Sequence, residues 1–393
     1  MSEARLTVLY FSNTLARGGA EEHILTLLRG LDRGRFRPLL ACTPEVAERL
    51  AGDIPGDVPV TTLRLRSPRH VAAARALAAL IRRERVDILH SHLFYSSLFA
   101  SPIGCACRVP VIVETPHVRE VWRRGLKAHY VVDRLAGRCV DQYIAVSEAN
   151  RRYLIQDKGL PARKIMVILN GCDVRRFDVR NVDPRPLRAS LGFAAADPIL
   201  LVVGRLEPQK GHRVLLDALP AVQREFPGVR LLCVGEGALR AELETRAADL
   251  ELRESVRFVG QRTDIPAWLA LADVVVLPSY YEGLPLAAIE ALAAGRVMVA
   301  TAVDGTPEVV VNEETGLLVP PGDPPLLAGA ISRLLRDPAL RADLAQAGRA
   351  RVLERFNEAG QVARTEALYE LALRRRGPIG VVDHRLVAAG EAR

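Results

Sequence analysis

The sequence predicts an α/β protein built from two doubly wound, Rossmann-like domains that face a central cleft. The chain of 393 residues is long enough for two or three domains. Short continuous apolar runs alternate with stretches of helix length, which is the pattern of parallel strands covered on both faces. The runs fall into two series, and ligands of such folds bind at the carboxyl ends of the strands. The predicted strands are 6–11, 37–42, 86–92, 110–115, 142–147 and 164–169, then 198–204, 229–235, 256–260, 273–279, 297–301 and 316–320.

A polar stretch with three prolines, residues 178–198, separates the two series and predicts a linker. We therefore predict an N-terminal domain over residues 1–180 and a C-terminal domain over residues 187–357. Residues 358–376 have helical spacing, and residues 377–393 are interpreted as a tail. The predicted apolar stripe of the last helix is Phe356, Ala359, Ala363, Ala367 and Leu371, which recur three or four apart.

Composition narrows the class of protein. Lys and Arg total 54 against 46 Asp and Glu, and the resulting net charge of +8 favours phosphate-bearing partners. Aromatic residues make up only 5% and do not interleave with basic ones, which disfavours nucleic acid. The N-terminus leads directly into a predicted strand, and no apolar run approaches the ~18 residues of a membrane-spanning helix, so we expect a cytoplasmic protein. The six cysteines have no metal-binding spacing, and we expect reduced, mostly buried thiols.

Two glycines follow the first predicted strand. Gly18 and Gly19 precede a predicted helix, an arrangement that lets a backbone approach a phosphate or a sugar. A dinucleotide site is not expected, because the stretch has no G-x-G-x-x-G pattern. The alternative interpretation is an ordinary tight turn between a strand and a helix.

A pair of cations lies in the loop after the first strand of the second series. Arg205 and Lys210 stand between an apolar strand and a predicted helix, where ligands of doubly wound folds bind. Positive charge beside a helix N-terminus suits a diphosphate, because the charge and the free N–H groups act together. The alternative is two solvated surface charges.

Two carboxylates lie in the otherwise apolar stretch YYEGLPLAAIEALAAG, residues 280–295. Pro285 is expected in the first turn of a buried helix and Gly295 at its C-cap. Glu282 would precede this helix, and Glu290 would be buried in its second turn. A buried carboxylate needs a protein donor or the hydroxyl groups of a ligand as its partner. The alternatives are a simple helix-end interaction for Glu282 and a buried salt bridge for Glu290.

Histidines close or follow two strands of the first series. His90 and His92 lie at the end of one strand, and His117 comes directly after the next, where it would face the cleft. Their spacing is not that of a recognised metal site. A structural role for His117 is the alternative.

Together, these motifs resemble the retaining glycosyltransferases of family four, which have the GT-B fold. The resemblance covers about residues 5–372, and two glutamates with seven residues between them, after the Arg/Lys loop, are its most specific feature. It implies that the last helix crosses back onto the N-terminal domain. The motifs are, in order, GGAEEH, VDILHSH, VIVETPH, IAVSE, VILNGCDVRRF, VVGRLEPQKG, VLPSYYEGLPLAAIEALAAG and GTPEVV…ETGLLVPPGD.

The resemblance implies a role for each charged residue. Arg205 and Lys210 would neutralise the donor's diphosphate and the charge that develops on the leaving group. Glu290 would accept hydrogen bonds from the ribose, and Glu282 would lie near the transferred sugar. His117 would contact a distal hydroxyl of that sugar or the scissile centre.

The resemblance also assigns backbone contacts to the donor. Gly18 and Gly19 would face the diphosphate from the N-terminal domain. The sugar and phosphate would be surrounded by backbone N–H groups of Gly283, Leu284, Pro285 and Leu286. The base would be held by the backbone of Phe258, Val259 and Gly260. No metal or cofactor is expected, because the two cations and a helix N-terminus would replace it. The nucleoside diphosphate would leave, and the acceptor hydroxyl would attack, on the same face of the sugar. The donor phosphate would take the acceptor's proton.

The activity implied is transfer of a sugar from a UDP- or GDP-sugar to a glycan, lipid-linked or small-molecule acceptor, in surface polysaccharide or glycolipid assembly. A nucleotide-sugar epimerase and a nucleotide-sugar-binding protein without turnover are the alternatives on the same fold. The sequence departs from the family at Arg296 and Val297, where proline is usual, and at Asp304, where glycine is common. Neither departure is expected to touch the charged residues, so sugar preference is the property they would affect.

A basic amphipathic segment, residues 119–138, follows His117. Similar surfaces let glycosyltransferases of this kind bind anionic membranes, so we expect the protein to associate with the inner face of the membrane. A solvated basic face is the alternative. The residues concerned are Arg119, Arg123, Arg124 and Lys127 around Trp122.

Overall fold

The computed structural model of the chain describes residues 5–14, 18–65, 67, 69–120 and 127–376. These residues form two parallel sheets, each covered by helices, so the predicted α/β class is confirmed. The predicted tail, residues 377–393, lies outside the described residues.

The N-terminal sheet has seven strands in the order β3-β2-β1-β4-β5-β6-β7, and all neighbours are parallel. Six of them match the predicted strands, and the seventh, β3, is a short edge strand that the sequence did not reveal. The strands are β1 Leu6–Ser12, β2 Phe36–Cys42, β3 Val60–Thr62, β4 Ile88–His92, β5 Val111–Thr115, β6 Gln142–Ala145 and β7 Ile165–Val167. The helices are α1 Gly19–Gly30, α2 Pro44–Leu50, α3 Val71–Arg83, α4 Phe94–Ala106, α5 Lys127–Ala136 and α6 Glu148–Gln156.

The C-terminal sheet has six parallel strands in the order β10-β9-β8-β11-β12-β13, and all six were predicted. They are β8 Ile199–Val203, β9 Arg230–Val234, β10 Val256–Gly260, β11 Val274–Leu277, β12 Met298–Thr301 and β13 Leu317–Val319. The helices are α7 Arg185–Ser190, α8 His212–Glu225, α9 Arg240–Asp249, α10 Ile265–Leu271, α11 Leu286–Ala293, α12 Thr306–Val309, α13 Pro324–Arg336 and α14 Pro338–Arg355.

The apolar runs became strands because both faces of each sheet are buried. In β8, Leu200 packs into one apolar core and its neighbour Leu201 into another, on the opposite side of the sheet. A strand with one wet face would alternate polar and apolar residues instead. Residues 178–198, the predicted linker, contain α7 and pack on α10, where Val179 and Trp268 share a core. The exact domain boundaries stay a prediction.

The chain crosses between the domains at two adjacent places. Cys172 N donates to Phe356 O at 2.9 Å, and Glu358 N donates to Cys172 O at 3.2 Å. There is no room for a side chain at Gly171, where a Cβ would lie 2.4 Å from the carbonyl of Asn357. The outgoing and returning segments are therefore bonded to each other.

The final helix, α15 Glu358–Arg376, packs on the N-terminal domain and confirms the expected crossing. Tyr369 is fully buried, and its hydroxyl lies 2.6 Å from His90 Nδ1 and 3.1 Å from Tyr10 Oη. The predicted apolar stripe is wrong: Ala359, Ala363 and Ala367 are exposed. The buried face of the helix combines polar and apolar residues instead, namely Gln361, Val362, Thr365, Glu366, Leu368, Tyr369 and Ala372.

Two other expectations concern burial and membranes. Cys42, Cys172 and Cys233 are buried, but Cys105 is exposed and the remaining two are partly exposed, so the expectation of mostly buried thiols holds for only half of them. Within the part of the chain that the structure describes, no helix is long and apolar enough to cross a membrane.

Candidate active site

Lys210 and Glu282 form an ion pair at the carboxyl end of the C-terminal sheet. Lys210 Nζ lies 2.6 Å from Glu282 Oε1, and Ser279 Oγ donates to the same oxygen at 2.7 Å. Glu282 is only 6% exposed, and these two protein partners offset the burial of its carboxylate. The sequence predicted both residues at this site, but not that they bind each other.

Close backbone packing brings together the first loop, which contains Arg205 and Lys210, and the second loop, which contains Glu282. Gly211, at the end of the first loop, has a left-handed φ of 66°, and a Cβ there would lie 2.0 Å from the carbonyl oxygen of Pro278. Glycine is therefore needed on both counts. Gln209 joins the loops as well, because its Nε2 donates to Tyr281 O at 2.9 Å and its carbonyl accepts from Tyr280 N at 2.8 Å. Lys210 is thereby held beside Glu282.

Arg205 lies at the rim of the same loop and is exposed. Its Nη2 donates to Gln209 Oε1 at 3.3 Å, which orients it towards the second loop. Burial raises the pKa of Tyr281, and the nearby Arg205 charge acts against that rise. Two cations, one exposed and one paired, thus border the site.

Glu290 differs from the prediction. It lies on α11 as expected, but it is partly exposed rather than buried. Part of this side chain is therefore accessible to solvent. Its charge helps to raise the pKa of Cys172, after the larger effect of burial on that thiol, so Glu290 lies near the interdomain crossing.

The segment before α11 contacts the N-terminal domain directly. A Cβ at Gly283 would lie 1.7 Å from the carbonyl oxygen of His117. Ser147 Oγ donates to Gly283 O at 2.9 Å, and Asn170 Nδ2 donates to Leu284 O at 3.2 Å. The predicted donor segment is therefore held between the two domains.

Pro285 requires a correction. It is the N-cap of α11 rather than part of its first turn, and it has no backbone N–H, so it cannot donate to a sugar or phosphate. Gly283, Leu284 and Leu286 keep N–H groups that can. The helix ends one residue earlier than predicted, because its C-cap is Ala294 and not Gly295. Gly295 comes next, in a left-handed conformation with a φ of 65°.

The N-terminus of α1 faces that of α11. Gly18 is the N-cap of α1, and a Cβ on Gly19 would lie 3.6 Å from Leu286 Cδ1. Glu21 Oε2 accepts from Gly18 N at 3.0 Å, and Thr14 Oγ1 donates to Glu21 Oε1. Burial raises the pKa of Glu21, and these hydrogen bonds oppose the rise. The N-termini of α1 and α11 therefore lie close together across the cleft.

His117 belongs to a buried group of histidines. It is 8% exposed, and its Nε2 lies 3.0 Å from His92 Nδ1. The His23 ring meets the His117 ring edge-on at 4.8 Å, and His90 lies 4.2 Å from His92. Burial lowers the pKa of all four, to about 4 for His23, so they are neutral at pH 7. In the described residues, no three His, Cys, Asp or Glu side chains are grouped so as to hold a metal ion.

The predicted base-binding segment ends β10. The carbonyl of Phe258 accepts from Arg240 Nη2 at 3.1 Å, and the carbonyl of Gly260 accepts from Gly235 N at 2.9 Å. Gly260 has a left-handed φ of 76°. These bonds fix the segment, with Val259 between them, but its contact with a base stays a prediction.

Asp304 accepts a hydrogen bond from the backbone of Glu282, so the expectation that this departure does not touch the glutamates is wrong. Its Oδ2 accepts from Glu282 N at 3.1 Å, and its Oδ1 lies 3.8 Å from Arg119 Nη1 of the other domain. Asp304 has a left-handed φ of 41°, a conformation that glycine adopts more readily. The carboxylate thus adds a hydrogen bond that glycine could not supply.

Several contact residues were not predicted as part of the site. His23, Ser147, Asn170 and Glu308 all lie in motifs quoted for the resemblance, but those motifs gave them no role. Each acts through a contact with the other domain or the last helix, at a sequence separation of more than one hundred residues. Local patterns do not reveal such contacts.

Comparison with known proteins identifies the family. The family model described as Glycosyltransferase Family 4 matches residues 17–176, and that described as Glycosyl transferases group 1 matches residues 184–351. Glycogen synthase of Mycobacterium tuberculosis is 33% identical over 318 residues, 78% of this chain and 74% of the relative. The chain belongs to glycosyltransferase family 4. An Escherichia coli relative of this family 4 protein, UDP-Gal:alpha-D-GlcNAc-diphosphoundecaprenol alpha-1,3-galactosyltransferase, is 28% identical over 75% of this chain and 78% of its own.

Solved structures confirm the GT-B fold of this family 4 glycosyltransferase. Anabaena Alr3699/HepE in complex with UDP-glucose has a TM-score of 0.83 at 24% identity, over 93% of this chain and all of that one. Sucrose-phosphate synthase from Thermosynechococcus elongatus has a TM-score of 0.79 at 25% identity, over 94% of this chain and all of that one.

Proposed function

We propose that this glycosyltransferase moves a sugar from a UDP- or GDP-sugar to a hydroxyl group of a glycan, lipid-linked or small-molecule acceptor. The observation that supports this most is the Lys210–Glu282 pair, which lies beside the start of α11 where that helix faces Gly19 of α1. A diphosphate placed there would meet two helix N-termini and two cations. That combination stabilises the charge that develops on a departing nucleoside diphosphate.

Lys210 can serve the donor without leaving Glu282. An ammonium group has three N–H donors, and the ion pair uses one of them. The remaining donors are available to a phosphate oxygen, and exposed Arg205 adds a second cation at the rim. Glu290, whose partly exposed side chain lies further along α11, would accept hydrogen bonds from the ribose. His117 and Glu282 would border the sugar.

Two relatives favour UDP as the nucleotide to test first. Anabaena Alr3699/HepE has been crystallised with UDP-glucose, and the Escherichia coli relative is named for UDP-Gal. That relative's named acceptor is a diphosphoundecaprenol-linked sugar, which supports a lipid-linked acceptor in surface polysaccharide or glycolipid assembly.

Retention of configuration is part of the proposal. Glu282 is bonded to both Lys210 and Ser279, and a carboxylate neutralised in this way is a poor nucleophile. This supports a reaction in which the nucleoside diphosphate leaves, and the acceptor hydroxyl attacks, on one face of the sugar. A donor phosphate oxygen would accept the proton of the acceptor hydroxyl. The bond to the nucleoside diphosphate breaks, and the bond to the acceptor oxygen forms. Arg205, Lys210 and the helix N-termini supply positive charge, so we propose that no metal is needed.

A peripheral position at the inner face of the membrane is also proposed. Val131 and Leu135 of α5 are 51% and 54% exposed, one turn apart, and exposed Arg134 adjoins Leu135. An exposed apolar pair beside basic residues suits an anionic membrane surface. Arg119 is not part of this surface, because it stacks over Tyr153 and points to Asp304. Residues 121–126 of the predicted basic segment lie outside the described residues.

The proposal is tested by presenting the protein with nucleotides and nucleotide sugars. UDP or GDP should raise the melting temperature, since a ligand that binds only the folded state stabilises it. The matching nucleotide sugar should be hydrolysed slowly, or transferred in the presence of acceptor, with an α-linked donor giving an α-linked product and with no loss in EDTA. Interconversion of two nucleotide sugars would indicate an epimerase. Binding of every donor without turnover, with any acceptor tried, would indicate a binding protein.

A further inference from the structure

A carboxylate of the C-terminal domain caps a helix of the N-terminal domain. Glu308 of α12 accepts hydrogen bonds from Glu148 N at 2.9 Å and from Ala149 N at 2.8 Å, one on each carboxylate oxygen. These are the first two residues of α6, whose N–H groups have no partner within the helix. Negative charge is also favourable at this end of a helix. The cap of α6 is thus completed only when the domains touch.

Ser147 links this cap to the predicted sugar-binding segment. It is fully buried and is the N-cap of α6, where its Oγ accepts from Asn150 N at 2.9 Å. The same hydroxyl donates its proton to Gly283 O of the other domain at 2.9 Å. One side chain therefore ends the helix and holds the donor segment.

Fixing the carbonyl of Gly283 also fixes the next N–H group. The peptide bond is planar and trans, so the Leu284 N–H points opposite to the Gly283 carbonyl. The backbone of Gly283 lies against the carbonyl of His117 with no space for a Cβ. The Ser147 contact thus sets the direction of the Leu284 N–H group and holds Gly283 close to His117.

We infer that Ser147 and Glu308 are positioning residues that hold the Gly283–Leu286 segment against the N-terminal domain during sugar transfer. The inference rests on the proposed function for the role of this segment. We call the three interdomain bonds of Ser147 and Glu308 the α6 clamp. Arg351 fixes Glu308 from behind, because its Nη2 donates to Glu308 O at 2.8 Å. Glu308 is half-buried, so water can replace its partners when the cleft opens to release product.

The clamp is tested with Glu308→Ala, Glu308→Gln and Ser147→Ala. Glu313→Ala is the matched control, because Glu313 is an exposed glutamate of the same domain that pairs only at the surface with Arg333. Hydrogen exchange at the amides of Glu148 and Ala149 is measured in the full chain with and without UDP. Removing both charge-assisted acceptors in Glu308→Ala should speed this exchange by about tenfold or more, and the control should not. Unchanged exchange in Glu308→Ala would overturn the inference.

Turnover of the nucleotide sugar gives the second measurement. In the clamp variants kcat should fall about tenfold or more, while the Kd for UDP changes by less than about threefold, because the clamp contacts the other domain rather than the nucleotide. Glu308→Gln should be intermediate, since it keeps one acceptor oxygen and the shape of the side chain. Glu308→Gln also takes the place of Glu308→Ala in both measurements if Glu308→Ala does not fold. Equal losses of kcat in Glu313→Ala would contradict a specific role for the clamp.

The two measurements separate this inference from the proposed function. If exchange responds as expected but the wild-type protein turns over no nucleotide sugar, the clamp exists and the proposed function fails. If turnover is present and kcat in all clamp variants equals that of the wild type, the proposed function stands and the positioning role is wrong.

Discussion

Lys210 Nζ and Glu282 Oε1 are 2.6 Å apart, and they join two loops that are 72 residues apart in the chain. The two side chains are only 16% and 6% accessible, and they form an ion pair with each other. Loss of one partner would leave the other as an uncompensated, mostly buried charge. The pair is therefore both a structural contact and the centre of the proposed chemistry.

Replacing either member of this pair should abolish most turnover. We expect Lys210→Ala and Glu282→Gln each to lower kcat by about 10²–10³, because charge stabilisation of the leaving group is lost or the lysine is misplaced. The double variant should lose less than the product of the single losses, since the two groups act as a unit. Steady-state hydrolysis of the donor measures this, with Arg333→Ala as a surface control. Wild-type rates in Lys210→Ala would contradict the assigned roles.

A single methyl group at Gly283 should keep the cleft from closing. Gly283→Ala would place a Cβ 1.7 Å from the carbonyl oxygen of His117, a contact that only separation of the domains relieves. We expect kcat to fall about 100-fold, because misplacement by about 1 Å has effects of this size. Small-angle scattering should show a larger radius of gyration. Gly329→Ala is the control, since no atom beyond its chain neighbours and the adjoining backbone of its own helix lies within 4 Å of its Cβ position. Normal activity in Gly283→Ala would show that this approach is not needed.

The buried histidines should make the protein sensitive to acid. Burial lowers the pKa of His23 to about 4, and those of His90, His92 and His117 well below their usual value. Between pH 6.5 and the folded-state values, the unfolded chain binds more protons than the folded one. The stability present above pH 6.5 is therefore lost as pH falls, at up to ~1.4 kcal/mol per pH unit for each histidine.

Urea unfolding between pH 7.5 and 5 measures this loss. His23→Gln should reduce the slope of stability against pH, because it removes one of the buried rings. His70→Gln, at the exposed N-cap of α3, is the matched surface control. A free energy of unfolding that stays flat over this range in the wild type would contradict neutral burial of the four rings.

The hydroxyl of Tyr369 should stabilise the docking of α15. Tyr369→Phe removes contacts to both His90 and Tyr10, and leaves buried polar atoms with one partner fewer. We expect the free energy of unfolding to fall by about 1–3 kcal/mol. Tyr10→Phe removes only one contact and should have a smaller effect. Equal losses in the two variants would mean that the His90 bond adds nothing.

Membrane binding should depend on α5. Val131→Glu together with Leu135→Glu should abolish sedimentation with vesicles that contain anionic phosphatidylglycerol at low salt, because charge replaces exposed apolar surface beside basic residues. Leu326→Glu, an equally exposed leucine in the C-terminal domain, is the control. Neutral vesicles and high salt should both weaken binding of the wild type. No sedimentation of the wild type with anionic vesicles at low salt would remove the membrane from the proposal.

The fold was largely predictable because buried parallel strands leave a strong local signal. All twelve predicted strands are present, and the one missed, β3, has only three residues at a sheet edge. The apolar stripe of α15 was wrong because its buried face includes Gln361, Thr365 and Glu366. Gln361 Nε2 lies 3.0 Å from His23 Nδ1, and its Oε1 accepts from Gly171 N. Such polar contacts cannot be read from hydrophobic spacing.

The charged residues of the site were easier to predict than their partners. Arg205, Lys210 and Glu282 stand in loops after apolar strands, and such positions are visible in the sequence. Glu290 was expected to be buried because its neighbours are apolar, but side-chain exposure depends on which face of α11 it occupies. Ser147 and Glu308 meet residues more than one hundred positions away, so only the assembled cleft reveals their contacts.

The paired crossings at Cys172 and Phe356 make the C-terminal half an insertion in the N-terminal half. The chain leaves the first domain and re-enters it at one bonded point, so the inserted unit begins and ends at neighbouring positions. A unit with adjacent ends can be exchanged at two splice sites without spanning a gap. Most of the proposed donor contacts, including Arg205, Lys210 and Glu282, lie in this half. Under the proposed function, chimeras that receive it from another family 4 enzyme should therefore take on that enzyme's nucleotide preference.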